Sequence, residues 1–237
     1  SSLGGARPKA DVIDTRGNQW IAKFPSKKDD SDVGLWEMVV HELAVQANIT
    51  VPNAFVKKLA SSYHTFLSQR FDRTADNKRI HYTSAMTLLQ RTDGDDADSG
   101  VSYLDLVGFI KSECADVTGN LEELFRRVLF SVCVSNTDDH LRNHGFLYTE
   151  AGWTLSPAFD INSNETGTGL KLNIDEVDNS LDIELVMNTA PYYLLSDKRA
   201  EEIKKEVTKA VCTWRKIAAK YKISPSEIEQ KAKAFRT

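Results

Sequence analysis

Apolar and polar positions alternate at the start of the chain and then change period. Ala10-Asp11-Val12-Ile13-Asp14 alternates like a half-buried strand, Thr15-Arg16-Gly17-Asn18 is turn chemistry, and Trp20-Ile21-Ala22-Lys23-Phe24 is a second strand stopped by Pro25. A hairpin is expected. From Ser31 the apolar residues fall at Val33, Trp36, Val39, Val40, Leu43 and Ala47, the three-and-four spacing of a helix with one buried face, with Pro52 beyond its end. Ala54 to Leu59 and Tyr63 to Phe71 read as two more strands, so the first seventy residues predict a small sheet with one helix laid on it.

Beyond residue 80 the pattern is mainly helical. Asn120 and Glu123 stand at capping-box spacing, and Leu121, Leu124, Phe125, Val128, Leu129 and Val132 line one face of a helix expected at the centre of the core. Polar residues interrupt from Ser135 to His144. Gly145 to Thr149 and Trp153 to Leu155, joined by Glu150-Ala151-Gly152, then predict a second hairpin. Asn162 to Gly169 is polar and glycine-containing and reads as a mobile segment. Ser224-Pro225-Ser226-Glu227 opens the last helix with a Ser cap, Pro at the first position and Glu at the third. The order of a sheet-plus-helix unit followed by helices makes this an α+β chain.

Composition narrows the function classes. With 41% hydrophobic and 27% charged residues, 237 residues suffice for one large domain or two lobes, and disorder is excluded. A net charge of −4 argues against coating nucleic acid. The charge is uneven: Ser196 to Thr237 holds twelve Lys or Arg and six Asp or Glu, so this tail carries +6 and the rest −10. Either a solvated helix face or a dock for an acidic partner accounts for it. No run approaches the roughly 20 apolar residues of a membrane span, and no signal peptide is visible. Cys114, Cys133 and Cys212 are odd in number, far apart and set among apolar residues, as buried thiols in a reducing cytosol would be, so a cytoplasmic protein is expected.

The densest reactive cluster is Asn136-Thr137-Asp138-Asp139-His140-Leu141-Arg142-Asn143-His144, directly after an apolar helix. Phosphoryl transfer from a nucleotide needs a carboxylate to orient the acceptor hydroxyl, oxygen ligands for magnesium and a cation on the phosphates. Asp138 lies five residues before Asn143, the spacing of a protein-kinase catalytic loop, which Asp139 does not satisfy. Asp160, in Ser156-Pro157-Ala158-Phe159-Asp160-Ile161-Asn162, stands where a metal-holding Asp belongs. Lys23, the one basic residue of an apolar strand, is either an edge solubiliser or a functional cation. Glu37 is either an exposed helix glutamate or the partner of Lys23. Gly4-Gly5-Ala6 could approach phosphates closely or simply be a flexible terminus. Two other metal readings compete. Asp138, Asp139, His140 and His144 could hold zinc or manganese in a hydrolase. The run Asp93 to Asp98 invites calcium, but it lacks the Gly and Glu of an EF-hand and reads as a solvated loop.

Six ordered segments together resemble the HipA-type toxins: Ser2-Leu3-Gly4-Gly5-Ala6-Arg7-Pro8-Lys9, Trp20-Ile21-Ala22-Lys23, Leu43-Ala44 to Val51-Pro52, Gln69-Arg70-Phe71-Asp72-Arg73, Asn136-Thr137-Asp138-Asp139-His140 to Asn143, and Ser156-Pro157-Ala158-Phe159-Asp160. The resemblance implies a bilobal protein-kinase-like fold, with an N-lobe at 1–73 and a helical C-lobe at 74–237. It also implies a serine/threonine kinase using ATP and Mg2+, with Asp138 as base, Asn143 and Asp160 as metal ligands, and Lys23 on the phosphates. Glu37 falls on the helix glutamate, Gln69 and Phe71 on the hinge beside adenine, Gly4 and Gly5 on the phosphate loop, and Ser2 on an autophosphorylated serine. Such kinases pair with a helix-turn-helix HipB-like antitoxin, reach DNA only through it, and act on aminoacyl-tRNA synthetases. A small subdomain precedes the loop in full-length members and is expected on a removed segment or a separate chain. Gln69 stands where Glu is frequent, and Arg7-Pro8 where Gln precedes Pro or Glu. A kinase-shaped binding module acting through an antitoxin is the remaining alternative.

Overall fold

A computed structural model describes residues 7–59 and 61–237. Ser2, Gly4 and Gly5, and with them the expected phosphate loop, lie outside the described residues.

The first turn is built by Asp14. Its carboxylate accepts from the backbone N–H of Arg16 (2.8 Å) and Asn18 (2.9 Å) and from the Trp20 indole (3.1 Å). This closes the predicted hairpin of β1 (Lys9–Ile13) and β2 (Gln19–Lys23). With β3 (Ala54–Lys58) and β4 (His64–Gln69) these strands form one antiparallel sheet in the order β1-β2-β4-β3. Lys23 therefore sits on an inner strand, opposite Lys9 on one side and Phe66 on the other, and cannot be an edge solubiliser.

Helix α1 (Val33–Gln46) lies on this sheet. Asp32 caps it, accepting from Leu35 N (3.2 Å), and the same carboxylate takes His64 N (3.0 Å) and meets His64 Nδ1 (2.6 Å), which ties the helix start to β4. Gly34 allows the approach: a Cβ there would lie 2.3 Å from the His64 carbonyl oxygen.

The second part of the chain holds a sheet the hydrophobic pattern only half predicts. The expected hairpin is β6 (Gly145–Thr149) with β7 (Gly152–Leu155), and β5 (His81–Ser84) joins it in the order β5-β6-β7. Four residues, His-Tyr-Thr-Ser, are too few and too polar to show a period. The helices are α2 (Ala85–Leu88), α3 (Tyr103–Glu113), α4 (Val117–Cys133), α5 (Ile183–Asn188), α6 (Asp197–Val211), α7 (Trp214–Lys220) and α8 (Pro225–Lys231). Ser224 caps α8 as expected, its hydroxyl accepting from Glu227 N.

Helix α4 is central, packed by α3, α5 and α6, but its start is not at Asn120. Asp116 is the cap, accepting from Gly119 N at 3.0 Å, and Asn120 lies inside the helix, where its Oδ1 accepts from Leu155 N (2.7 Å) and Thr154 Oγ1 (3.1 Å). A polar residue reserved for a neighbouring strand imitates a cap in sequence. The core is continuous: Trp36, Val40 and Leu43 of α1 belong to one buried cluster with Leu124, Phe125 and Leu129 of α4 and Trp214 of α7.

Two further expectations are corrected, and the acidic run is the loop its composition suggests. Cys212 is exposed at the end of α6, while Cys114 and Cys133 are buried. The segment from Asn162 is held, not loose: Asn162 N donates to Asn136 Oδ1 (3.1 Å) and Asn164 Nδ2 to Thr137 Oγ1 (2.8 Å). In the acidic run, Asp95 accepts from Thr92 N and Asp96 caps a short helical turn, so those carboxylates serve local loop structure. Among the described residues no helix is long and apolar enough to cross a membrane.

Candidate active site

Helix α4 ends in a reversal that sets up the reactive loop. Ser135 takes a left-handed backbone (φ 50°), its N–H reaches Val132 O (3.2 Å), and Asn136 N reaches Ser131 O (2.8 Å). This is a Schellman closure with Ser in place of the usual Gly. The chain then passes Asp138 and Asp139, whose carboxylates meet opposite fates. Asp139 is buried, accepting from Tyr103 Oη (2.7 Å) and Ser131 Oγ (3.1 Å), with His144 Nε2 3.0 Å away. Burial would raise its pKa, but His144 and those donors hold it below the ordinary value. Asp138 is exposed, and its carboxylate has no hydrogen bond or ion pair among the described residues.

The five-residue spacing to Asn143 has a structural reason. Asn143 Nδ2 donates to the Asp138 carbonyl at 3.0 Å and closes the loop across a 3-10 turn over Leu141–Asn143. The His-based metal site is not formed. Asp139 and His144 face each other in the interior, and no group of three His, Cys, Asp or Glu side chains gathers as a metal site among the described residues.

Lys23 is the second centre. Its Nζ contacts Glu37 Oε1 and Asp160 Oδ1, the latter at 2.7 Å. Glu37 is buried at 6% exposure, which removes the reading of an exposed helix glutamate. Burial and the nearby Asp160 charge raise the Glu37 carboxyl, opposed by Lys23. Burial would lower Lys23, but the two carboxylates outweigh it and raise its pKa. At Asp160 burial acts upward, yet Lys23, Lys9 and a hydrogen bond from Asn162 bring the carboxyl down to about 2, so it is ionised throughout the neutral range. Lys9 Nζ lies 3.6 Å from Asp160 Oδ2. Asp160 also has a left-handed backbone (φ 59°), a conformation that costs a non-glycine residue about 1 to 2 kcal/mol.

Thus the fold joins Lys23, Glu37 and Asp160 directly, and Asp138 to Asn143 directly. The two groups are linked by Asn136–Asn162 and Thr137–Asn164. At the strand end Gln69 Oε1 accepts from Asn53 Nδ2 (2.8 Å), and Phe71 packs on Phe159 and Tyr82 with ring centroids 5.5 and 5.8 Å apart. Phe71 is therefore in contact with the residue preceding Asp160.

A family model for the HipA-like C-terminal domain matches residues 1–215. The chain belongs to this family. HipA from Shewanella oneidensis, solved with HipB and operator DNA, superposes with a TM-score of 0.77 at 18% identity, covering 99% of this chain and 62% of that one. The Helicobacter pylori proinflammatory kinase CtkA has a TM-score of 0.57 at 11% identity, covering 92% of this chain and 95% of that one. A Haemophilus influenzae protein described as "Putative kinase" is 27% identical over 178 residues, 67% of this chain and 51% of that protein. The chain therefore spans about half the length of that curated relative. The mixed helix-and-sheet architecture is the fold shared by HipA and CtkA.

Lys9, Asn162 and Asn164, and the linking role of Asn136, have no counterpart among the residues singled out from the sequence. Lys9 is recoverable from hairpin register, which pairs it with Lys23 across β1 and β2. The three asparagines carry no periodic or spacing signal.

Proposed function

We propose that this chain is the catalytic part of an ATP- and magnesium-dependent serine/threonine protein kinase of HipA type, the toxin of a toxin–antitoxin pair. One observation carries the reading: Lys23 gathers Glu37 and Asp160 into a single ion cluster, while the Asp138 carboxylate, on the linked loop, has no partner among the described residues.

Asp138 orients the acceptor serine hydroxyl and takes its proton as the oxygen attacks. Lys23, raised in pKa and permanently cationic, holds the non-transferred phosphates. Asn143 and the ionised Asp160 supply the hard oxygen donors that suit magnesium. Bound magnesium neutralises charge on the phosphate oxygens. Asp160 would be the carboxylate that holds the metal and Lys23 the cation that faces the phosphates, with Glu37 positioning Lys23 through their contact. By the family resemblance, Gly4 and Gly5 are assigned to the phosphates and Gln69 and Phe71 to the adenine. The lobes divide near residue 73. Ser2 is the autophosphorylation site, and an aminoacyl-tRNA synthetase is the protein substrate. A HipB-like helix-turn-helix antitoxin is the partner and the route to DNA, by likeness to the Shewanella complex. The protein acts in the cytoplasm.

Transfer of label from γ-labelled ATP tests the reading. Asp138→Asn should lower the rate on the order of 10² to 10⁴, the contribution of a positioned base, with ATP still bound. An unchanged rate rejects the assignment of the base. Peptide mapping of the labelled wild type should find phosphate on Ser2, and label found only elsewhere rejects that part.

A further inference from the structure

The lysine that joins α1 to Asp160 has a counterpart outside the ion cluster. Lys231, in the last turn of α8, touches the same two elements. Its Nζ lies 2.5 Å from Glu165 Oε2 and 3.4 Å from the Ser163 carbonyl, in the segment following Asp160. It also stands 5.9 Å from the ring centroid of Trp36, the residue before Glu37 on α1. Glu227, one turn earlier on α8, accepts from the Trp36 indole N–H at 2.7 Å. The chain end fixes this arrangement from below: Phe235 stacks on Trp214 at 4.3 Å, and Arg236 donates from its backbone N–H to Cys133 O (2.7 Å) and from Nε to Ser135 Oγ (3.2 Å), at the α4 terminus that leads into the Asp138 loop. The family match stops at residue 215, so all of these contacts from the chain end originate beyond it.

There are then two ties between α1 and the Asp160 segment. The inner one, Glu37–Lys23–Asp160, is made of the groups that the kinase reading assigns to the phosphates and the metal. The outer one, Trp36–Lys231–Glu165, uses none of those groups. Trp36 and Glu37 are neighbours about 100° apart around the helix, so a ring held by an indole hydrogen bond and a cation fixes the rotation of α1 and hence the aim of Glu37. Lys231 is 16% exposed and Glu165 35%, so this ion pair is only partly screened by solvent. Ser163 and Glu165 flank Asn164, whose side chain holds Thr137, so the same contact also reaches the catalytic loop.

We infer that Lys231, assisted by Glu227, is a positioning residue of the phosphoryl-transfer site: it holds α1 and the Asp160 segment in register independently of the Lys23 cluster. The inference rests on the kinase reading above for its catalytic consequence but not for the tie itself.

Two readouts separate these. In hydrogen–deuterium exchange on the nucleotide-free full chain, Lys231→Ala should raise exchange selectively in residues 33–40 and 160–165, with α3 and α4 unchanged, and Lys231→Arg, which keeps charge and ring contact, should restore it. In steady-state kinetics Lys231→Ala should lower kcat about 10- to 100-fold, the scale of a remote misplacement, with KM for ATP within about twofold. Unchanged exchange, a uniform rise across all helices, or no rescue by Arg overturns the tie. An active wild type whose kcat is unaffected by Lys231→Ala overturns its catalytic role. An inactive wild type with the selective exchange pattern intact rejects the kinase reading while upholding the tie.

Discussion

Lys23 bonds two carboxylates at once, and much of the behaviour of this cluster follows from that. Replacing it with Met leaves the buried Glu37 without its bonded cation, with only Lys9, 3.6 Å from Asp160, as a nearby positive charge. Breaking a buried pair from one side costs about 3 to 5 kcal/mol, so Lys23→Met should lose stability on that scale in urea unfolding. Adding Glu37→Gln should recover much of the loss, because the charge left stranded is then gone. Equal stability of Lys23→Met and wild type would contradict a buried cluster. Asp160 gives a pH signature. Its carboxyl falls from an ordinary 3.8 to about 2 in the fold. A depressed carboxyl stabilises above its unfolded pKa and loses that contribution as pH falls through the folded one. The window is therefore pH 4 down to 2, where the melting temperature of the wild type should drop more steeply than that of Asp160→Asn; parallel curves would refute the shift. The closeness of Asp138 and Asn143 was legible from their spacing. The environments of Lys23 and Glu37 were not, because whether a strand lysine lies at an edge depends on β4, forty residues later, pairing with β2.

At the scale of elements, the position of α1 decides whether Glu37 reaches Lys23. Asp32 and Gly34 fix its first turn against β4, and the His64 carbonyl leaves no space for a Cβ. Gly34→Ala must push the helix from the sheet, with an expected loss of about 1 to 3 kcal/mol in thermal or urea unfolding, the usual cost of overpacking. A neutral result would mean that the contact is looser than the geometry shows. The strong periodicities of α1, α4 and the two hairpins made those elements readable. The misreadings have local causes: Asn120 has capping spacing but spends its side chain on β7, β5 is too short to show alternation, and the segment after Asn162 has loop composition but is held by asparagine bonds to residues 135–137.

At the scale of the whole molecule, the apolar cluster runs from α1 through α4 to α7, so the helix bearing Glu37 is packed on its far side by helices of the second part of the chain. The α+β order of a sheet, a helix and then helices was legible, and the family match agrees with it. That the last helix returns to Trp36 was not legible, since nothing in Glu227 or Lys231 distinguishes them from a solvated, lysine-rich face. The central claim is a magnesium–nucleotide site assembled by Lys23, Glu37 and Asp160, and thermal unfolding with and without Mg2+–ATP tests it most directly. Ligand at about 100 times its dissociation constant adds roughly 2.7 kcal/mol, and a domain of this size gains about 2 to 4 °C per kcal/mol. The wild type should shift upward by about 5 to 11 °C, and Asp160→Asn should largely abolish the shift. No shift, or one that survives Asp160→Asn in full, would contradict the claim.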